Sequence, residues 1–84
     1  MILELLIKLD ELSKMLQIRK NDSYSFFIDI KNSIVANKNI ENDLKSLTRC
    51  YAITQYASFS NEEDILLNEI IDLARKELSL FGRA

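Results

Sequence analysis

Histidine and proline are absent from this 84-residue chain, and glycine and cysteine occur once each, as Gly82 and Cys50. Without histidine there is no imidazole to activate a nucleophile, to ligate a metal or to act as a pH switch. One glycine near the end of the sequence excludes a glycine-rich phosphate-binding loop. One cysteine cannot form an internal disulfide. These absences predict a protein that is not an enzyme and that uses no cofactor and no bound metal.

Long apolar segments are also missing from the sequence. Four charged residues interrupt the hydrophobic N-terminal region: Glu4, Lys8, Asp10 and Glu11. That pattern predicts neither a signal peptide nor a membrane span, and the single cysteine fits a reducing compartment. We therefore expect a cytoplasmic protein without membrane contact. The formal net charge of −2 argues mildly against general nucleic-acid binding, which favours a basic surface.

What the chain does contain is a helical pattern. Hydrophobic residues make up 48% and charged residues 29% of the sequence, as in a globular domain. Apolar residues recur at steps of three and four, which places them on one face of a helix. The prediction is one all-α domain over residues 1–84, folded as an antiparallel four-helix bundle because its loops are short. The predicted helices cover residues 2–20, 23–36, 40–57 and 61–81.

The second helix has the lowest intrinsic helix propensity, because its segment is rich in β-branched and aromatic residues. Tyr24, Phe26, Ile28 and Ile30 alternate as they would in a strand. A lone strand has no partner elsewhere in this chain and is not stable. Helix therefore remains the prediction for this segment, which depends on tertiary packing.

Polar residues mark the breaks between the helices. Asn21 suits a left-handed helix end, and Asn39 suits an N-cap. Ser60 and Glu63 have the spacing of a capping box, in which each side chain satisfies the backbone N–H group of the other residue. Cys50 falls beside the apolar stripe of the third helix, so we expect a small buried side chain there.

The first helix carries apolar residues on two faces. Leu3 and Ile7 lie roughly opposite its main stripe at 100° per residue, and Ile18 flanks them. The favoured interpretation is a central helix that is buried on two sides. The alternative is a homodimer that pairs through Leu3, Ile7 and Ile18.

A second group of apolar residues on predicted outer helix faces lies around the turn before the last helix. Tyr56 falls on the outer face of the third helix with Lys45 and Arg49, and Ile65 lies within the polar face of the fourth. Incidental exposure is one explanation. The other is an apolar anchor set with an acidic rim, as in protein interfaces. The predicted partner-binding residues are Tyr56, Phe59, Ile65, Glu62, Asn68, Glu69 and Asp72.

The stretch YAITQYASFSNEE at residues 51–63, which runs on through Leu66 and Leu67, resembles segments of small all-helical bacterial immunity proteins. The resemblance covers residues 51–67 only and carries no diagnostic motif. It implies a protein that binds a cognate toxin domain, often a nuclease, and neutralises it by covering the active site. The acidic balance agrees with a basic toxin domain as partner, and no small-molecule substrate is expected.

Two other functions remain open at this point. Lys45, Arg49 and Tyr56 could contact a phosphate and a base, as in a small dimeric nucleic-acid-binding regulator. Only two basic residues share that face, which makes this alternative the weaker one. A structural or secretion-related helical subunit is the third hypothesis, with pairing through the second face of the first helix.

Overall fold

The computed structural model describes residues 2–50 and 59–81, and every regular element in these ranges is an α-helix. The helices are α1 (Ile2–Ile18), α2 (Tyr24–Ala36), α3 (Ile40–Thr48) and α4 (Asn61–Phe81). The predicted all-α four-helix bundle is therefore confirmed for this part of the chain. The strand-like alternation in the second segment does not produce a strand, because the apolar face of α2 packs on the other helices.

One hydrophobic core joins the helices. α1 contributes four fully buried leucines at the predicted spacing: Leu5, Leu9, Leu12 and Leu16. The other helices contribute Phe27, Ile30 and Ile34 from α2, Leu44 and Leu47 from α3, and Leu66, Leu67, Ile70, Ile71 and Ala74 from α4. α1 packs on both α2 and α4, α3 packs on α4, and α2 meets α3 only lightly. α1 therefore has a neighbour on each flank.

Two ion pairs show how α1 lies against α4. Arg19, just after α1, binds Glu63 at the start of α4, whereas Lys8 binds Glu69 further along α4. Residue numbers thus fall along α1 as they rise along α4, which is the order that antiparallel neighbours give. The antiparallel direction of the bundle as a whole remains a prediction.

α1 ends before its predicted end because the chain turns at Lys20. The Lys20 backbone is left-handed, with φ 60°, and its N–H donates to the Gln17 carbonyl at 3.0 Å. The Asn21 N–H donates to the Leu16 carbonyl at 2.9 Å. This is the Schellman pattern, which satisfies the last helical carbonyls. Asn21 therefore does not take the left-handed position, and its side chain accepts the Ser23 N–H at 2.9 Å instead.

The boundaries of α3 and α4 test the other sequence signals. Asn39 caps α3 as predicted, and its Oδ1 accepts the Asn42 N–H at 3.3 Å. α3 ends at Thr48, so the prediction of helix is wrong at Arg49 and Cys50, and residues 51–58 lie outside the described ranges. The N–H groups of Arg49 and Cys50 bond three residues back, which tightens and closes the last turn. α4 has the predicted bounds.

Asp43 is a buried carboxylate on the core side of α3. It is 9% exposed, and no group in the described part of the chain bonds to its Oδ2. A carboxylate in the first turn of a helix gains about 0.3–1 kcal/mol from the helix dipole. A buried polar group without a partner costs about 1–3 kcal/mol. The burial cost is the larger of the two.

We therefore expect Asp43→Ala to stabilise the fold by about 1 kcal/mol, measured as a higher midpoint of urea unfolding. Glu41→Ala is the matched control, because Glu41 lies in the same first turn but is exposed. It loses only the dipole interaction and is expected to be slightly destabilised. A lower midpoint for Asp43→Ala would show that this carboxylate has a favourable partner.

Candidate protein-binding surface

A capping box fixes the start of α4. The Ser60 N–H donates to Glu63 Oε1 at 2.8 Å, and the Glu63 N–H donates to Ser60 Oγ at 3.3 Å. Both bonds predicted from the spacing are confirmed. The box sets the register in which Glu63 is buried while Glu62 and Ile65 are exposed.

Glu63 also receives two hydrogen bonds from Arg19. Arg19 Nε lies 2.9 Å from Glu63 Oε2, and Arg19 Nη2 lies 2.7 Å from Oε1. Burial raises the pKa of Glu63, but the hydrogen bonds from Arg19 and from the Ser60 backbone outweigh it, so the pKa lies below its ordinary value of 4.5. Sequence analysis missed this pair, since the partners are 44 residues apart and nothing local signals Arg19.

The centre of the predicted contact surface is open to solvent. Ile65 is 60% exposed, which agrees with its predicted place on the polar face. The residues at i−3, i+3, i+4 and i+7 from it are also exposed, and they surround it on the helix. We call this group the Ile65 patch: Ile65, Glu62, Asn68, Glu69 and Asp72.

Phe59 and Glu69, both predicted contact residues, have identified partners within the chain. Phe59 is half-buried and packs against the core, and its ring centroid lies 6.3 Å from that of Phe27. The Glu69 carboxylate binds Lys8, and this hydrogen bond raises the pKa of Lys8 above its ordinary value. Tyr56 lies outside the described residues. Of the two predicted apolar anchors in the described ranges, Phe59 packs on the core and Ile65 stands clear of it.

The outer face of α1 is open as well. Leu3 is 62%, Ile7 52% and Ile18 83% exposed. The interpretation that α1 is buried on two sides is wrong for Leu3 and Ile7, because α2 and α4 cover its flanks and leave the outer face uncovered. Beside this face, an open groove of about 440 Å³ runs between α1 and α2, with Val35 on its far wall.

The remaining chemistry of the site region is sparse. Cys50 is buried as expected, and desolvation raises the pKa of its thiol to about 11. The thiol is therefore protonated at neutral pH and is not a nucleophile. Within residues 2–50 and 59–81, no three acidic or cysteine side chains come together as ligands for a metal ion. Lys45 and Arg49, the basic residues of the nucleic-acid alternative, are both exposed.

No helix in the described ranges combines the length and the apolar character needed to cross a membrane. Comparison of the chain with models of known protein families, with curated proteins and with solved structures found no match.

Proposed function

We propose that this chain is a non-enzymatic protein-binding module, and specifically an immunity protein that neutralises a bacterial toxin domain by covering its active site. The observation that supports this most is Ile65, a large apolar side chain that is 60% exposed within a ring of polar and acidic residues. An apolar centre with a polar rim is the arrangement found at interface hot spots. The resemblance at residues 51–67 agrees with it.

The Ile65 patch lies on a rigid support. The capping box and the Arg19 ion pair hold the first turn of α4, and the opposite face of the helix is buried in the core. A surface that is ordered before binding loses little conformational entropy when a partner docks. The patch can therefore act by shape, with Ile65 entering an apolar recess of the toxin domain.

The acidic residues around Ile65 favour a basic partner. Glu62 and Asp72 are exposed beside Ile65, whereas Glu69 is already bound to Lys8. Acidic groups attract a basic surface and speed association. A nuclease site is basic because it binds phosphate, so an acidic protein surface competes with its substrate. The reversal of charge is best tested at Glu62 and Asp72, since reversal at Glu69 also breaks a bond within the chain.

The test uses the toxic product of the reading frame beside this gene. Ile65→Ala is expected to weaken binding to that toxin domain by roughly 10-fold to 100-fold in isothermal titration calorimetry, as for an interface hot spot. Leu80→Ala is the matched control, because Leu80 is 61% exposed on the same helix but lies away from the patch. Asp72→Lys is expected to slow association more at low salt than at high salt.

Two results would contradict the immunity function, and a third would contradict only the assignment of the contact surface. The neighbouring reading frames encode no toxic product, or co-expression of this chain gives no protection from it. In either case the immunity function is wrong. If Leu80→Ala weakens binding as much as Ile65→Ala does, the function stands but the Ile65 patch is not the contact surface. Circular dichroism checks that each variant keeps its helical content.

A further inference from the structure

The outer face of α1 carries four residues whose spacing is the same read from either end of the helix. Ile7, Glu11, Lys14 and Ile18 follow one another at steps of four, three and four. At 100° per residue they lie within about 60° of one another, which is a single stripe along the helix. All four side chains are exposed. Apolar residues occupy both ends of this stripe, and opposite charges occupy its middle.

We infer that this stripe binds the same stripe of a second copy of the chain, with the two α1 helices antiparallel about a twofold axis. Ile7 of each copy then faces Ile18 of the other, and Glu11 faces Lys14. A twofold interface must be complementary to itself, and this order of residues meets that condition. Charge favours the antiparallel over a parallel arrangement, because the parallel one places Glu11 against Glu11 and Lys14 against Lys14.

The ion pairs on α1 leave Lys14 able to make this contact. Lys14 and Lys31 both lie 2.9 Å from Asp10, so this carboxylate has two cations. If Lys14 turns toward Glu11 of the second copy, Asp10 keeps Lys31. The Lys14 side chain is 70% exposed. An exposed ion pair such as Lys14–Asp10 adds little stability, so Lys14 can leave Asp10 for Glu11 of the second copy at little cost.

The shape of the surface agrees with a second copy as its occupant. Ile18 is 83% exposed, the most of the large apolar side chains in the described part of the chain. Ile7 and Val35 both line the α1–α2 groove, and Val35 is 64% exposed. In the antiparallel dimer, Ile18 of one copy lies over this groove of the other. Each copy thus offers both a protruding side chain and the recess that receives it.

The exposed apolar side chains on α1 and α2 define the extent of the proposed dimer contact. Leu3, Ile7, Ile18 and Val35 are each more than half exposed, and exposed apolar side chains grouped on one surface are typical of an interaction site. A specific complex buries at least about 1,200 Å² in total, so this contact must include the polar residues beside the stripe as well. Buried area does not by itself set affinity, so the test of this dimer covers a wide range of concentrations. This inference uses the outer face of α1 and does not depend on the Ile65 patch.

The test is sedimentation equilibrium of the full chain, from about 1 µM to about 500 µM, with two single charge reversals. Glu11→Lys places two lysines opposite each other at both central contacts, and Lys14→Glu places two glutamates there. Each variant alone is expected to self-associate at least tenfold more weakly than the unmodified chain. An equal mixture of the two variants is expected to form a heterodimer, because one stripe is then wholly basic and the other wholly acidic.

Matched controls separate the stripe from net charge and from general stickiness. Lys76→Glu changes the net charge on the outer face of α4 and should leave the dimer intact. Ile18→Asn should yield a monomer, whereas Leu80→Asn should not. The inference is overturned if the unmodified chain stays monomeric at the highest concentration, in which case a different protein covers this face. It is equally overturned if the dimer persists in both charge variants, or if their mixture stays monomeric.

Discussion

Truncation of Phe27 to alanine is expected to lower the free energy of unfolding by about 3–5 kcal/mol, the usual cost of removing a buried phenylalanine. Phe27 is fully buried, with its ring edge-on to Phe26 at 5.1 Å between centroids and near Phe59 at 6.3 Å. It therefore joins α2 to the turn that precedes α4. A chain of this size has a total stability of roughly 4–13 kcal/mol, so this one change removes a large share of it.

Urea unfolding followed by circular dichroism measures this loss. Phe26→Ala is the matched control, because Phe26 is the same residue type on the same helix but is only half-buried. Its loss should be about half as large, since less apolar area is removed. α2 has low helix propensity and depends on packing, so the loss of this contact removes support that α2 cannot replace locally. A loss below about 1 kcal/mol for Phe27→Ala would contradict the central place given to this side chain.

The second large effect is expected at Arg19. Arg19→Ala leaves the Glu63 carboxylate, 2% exposed in its side chain, without its cation. Removal of one partner from a buried pair costs about 3–5 kcal/mol. The Arg19 side chain is 42% exposed, so water reaches the pair, and we expect about 2–3 kcal/mol. Lys31→Ala breaks a pair of the same type on half-exposed Asp10 and should cost less than about 1 kcal/mol.

This effect should depend on pH in a defined direction. The pKa of Glu63 is lowered in the folded protein, so the ionised form contributes stability above its ordinary pKa of 4.5. That contribution is lost as the pH falls through the lowered value. In Arg19→Ala the burial that opposes ionisation has less to offset it, so protonation of Glu63 relieves part of the cost.

The stability difference between the unmodified chain and Arg19→Ala should therefore be largest near neutral pH and shrink below about pH 4. Urea midpoints at several pH values measure this difference. A constant difference across that range, or equal losses for Arg19→Ala and Lys31→Ala, would show that the buried carboxylate is not what makes the Arg19 pair matter.

The helix boundaries show which structural features local sequence can predict. α4 begins where Ser60 and Glu63 predict, because a capping box is formed by neighbouring residues. α1 ends early because Lys20, not Asn21, adopts the left-handed backbone, and the propensities of these residues favour the opposite choice. α3 ends early although its apolar pattern continues to Cys50. Periodicity shows which residues share a face and does not show where the last turn closes.

The surface shows a second limit of prediction from sequence. A helical wheel placed Ile65 on the polar face of α4, and its exposure agrees. Helical spacing also predicts that Leu3 lies on a second face of α1, but spacing does not show whether another helix covers that face. The turn predicts Phe59 and the polar face of α4 predicts Glu69 as contact residues, but their partners Phe27 and Lys8 lie far away in sequence. Long-range pairs of this kind need the fold.

The burial of Cys50 has a consequence for the kinetics of the core. It is the single thiol of the chain, and desolvation raises its pKa to about 11. The thiolate is the nucleophile that attacks a labelling reagent, so labelling requires an opening that both uncovers this sulfur and lets it lose its proton. The rate of modification then reports how often the core opens locally around Cys50, near the end of α3. Cys50 is thus a natural reporter of internal motion, and no cysteine has to be introduced to observe it.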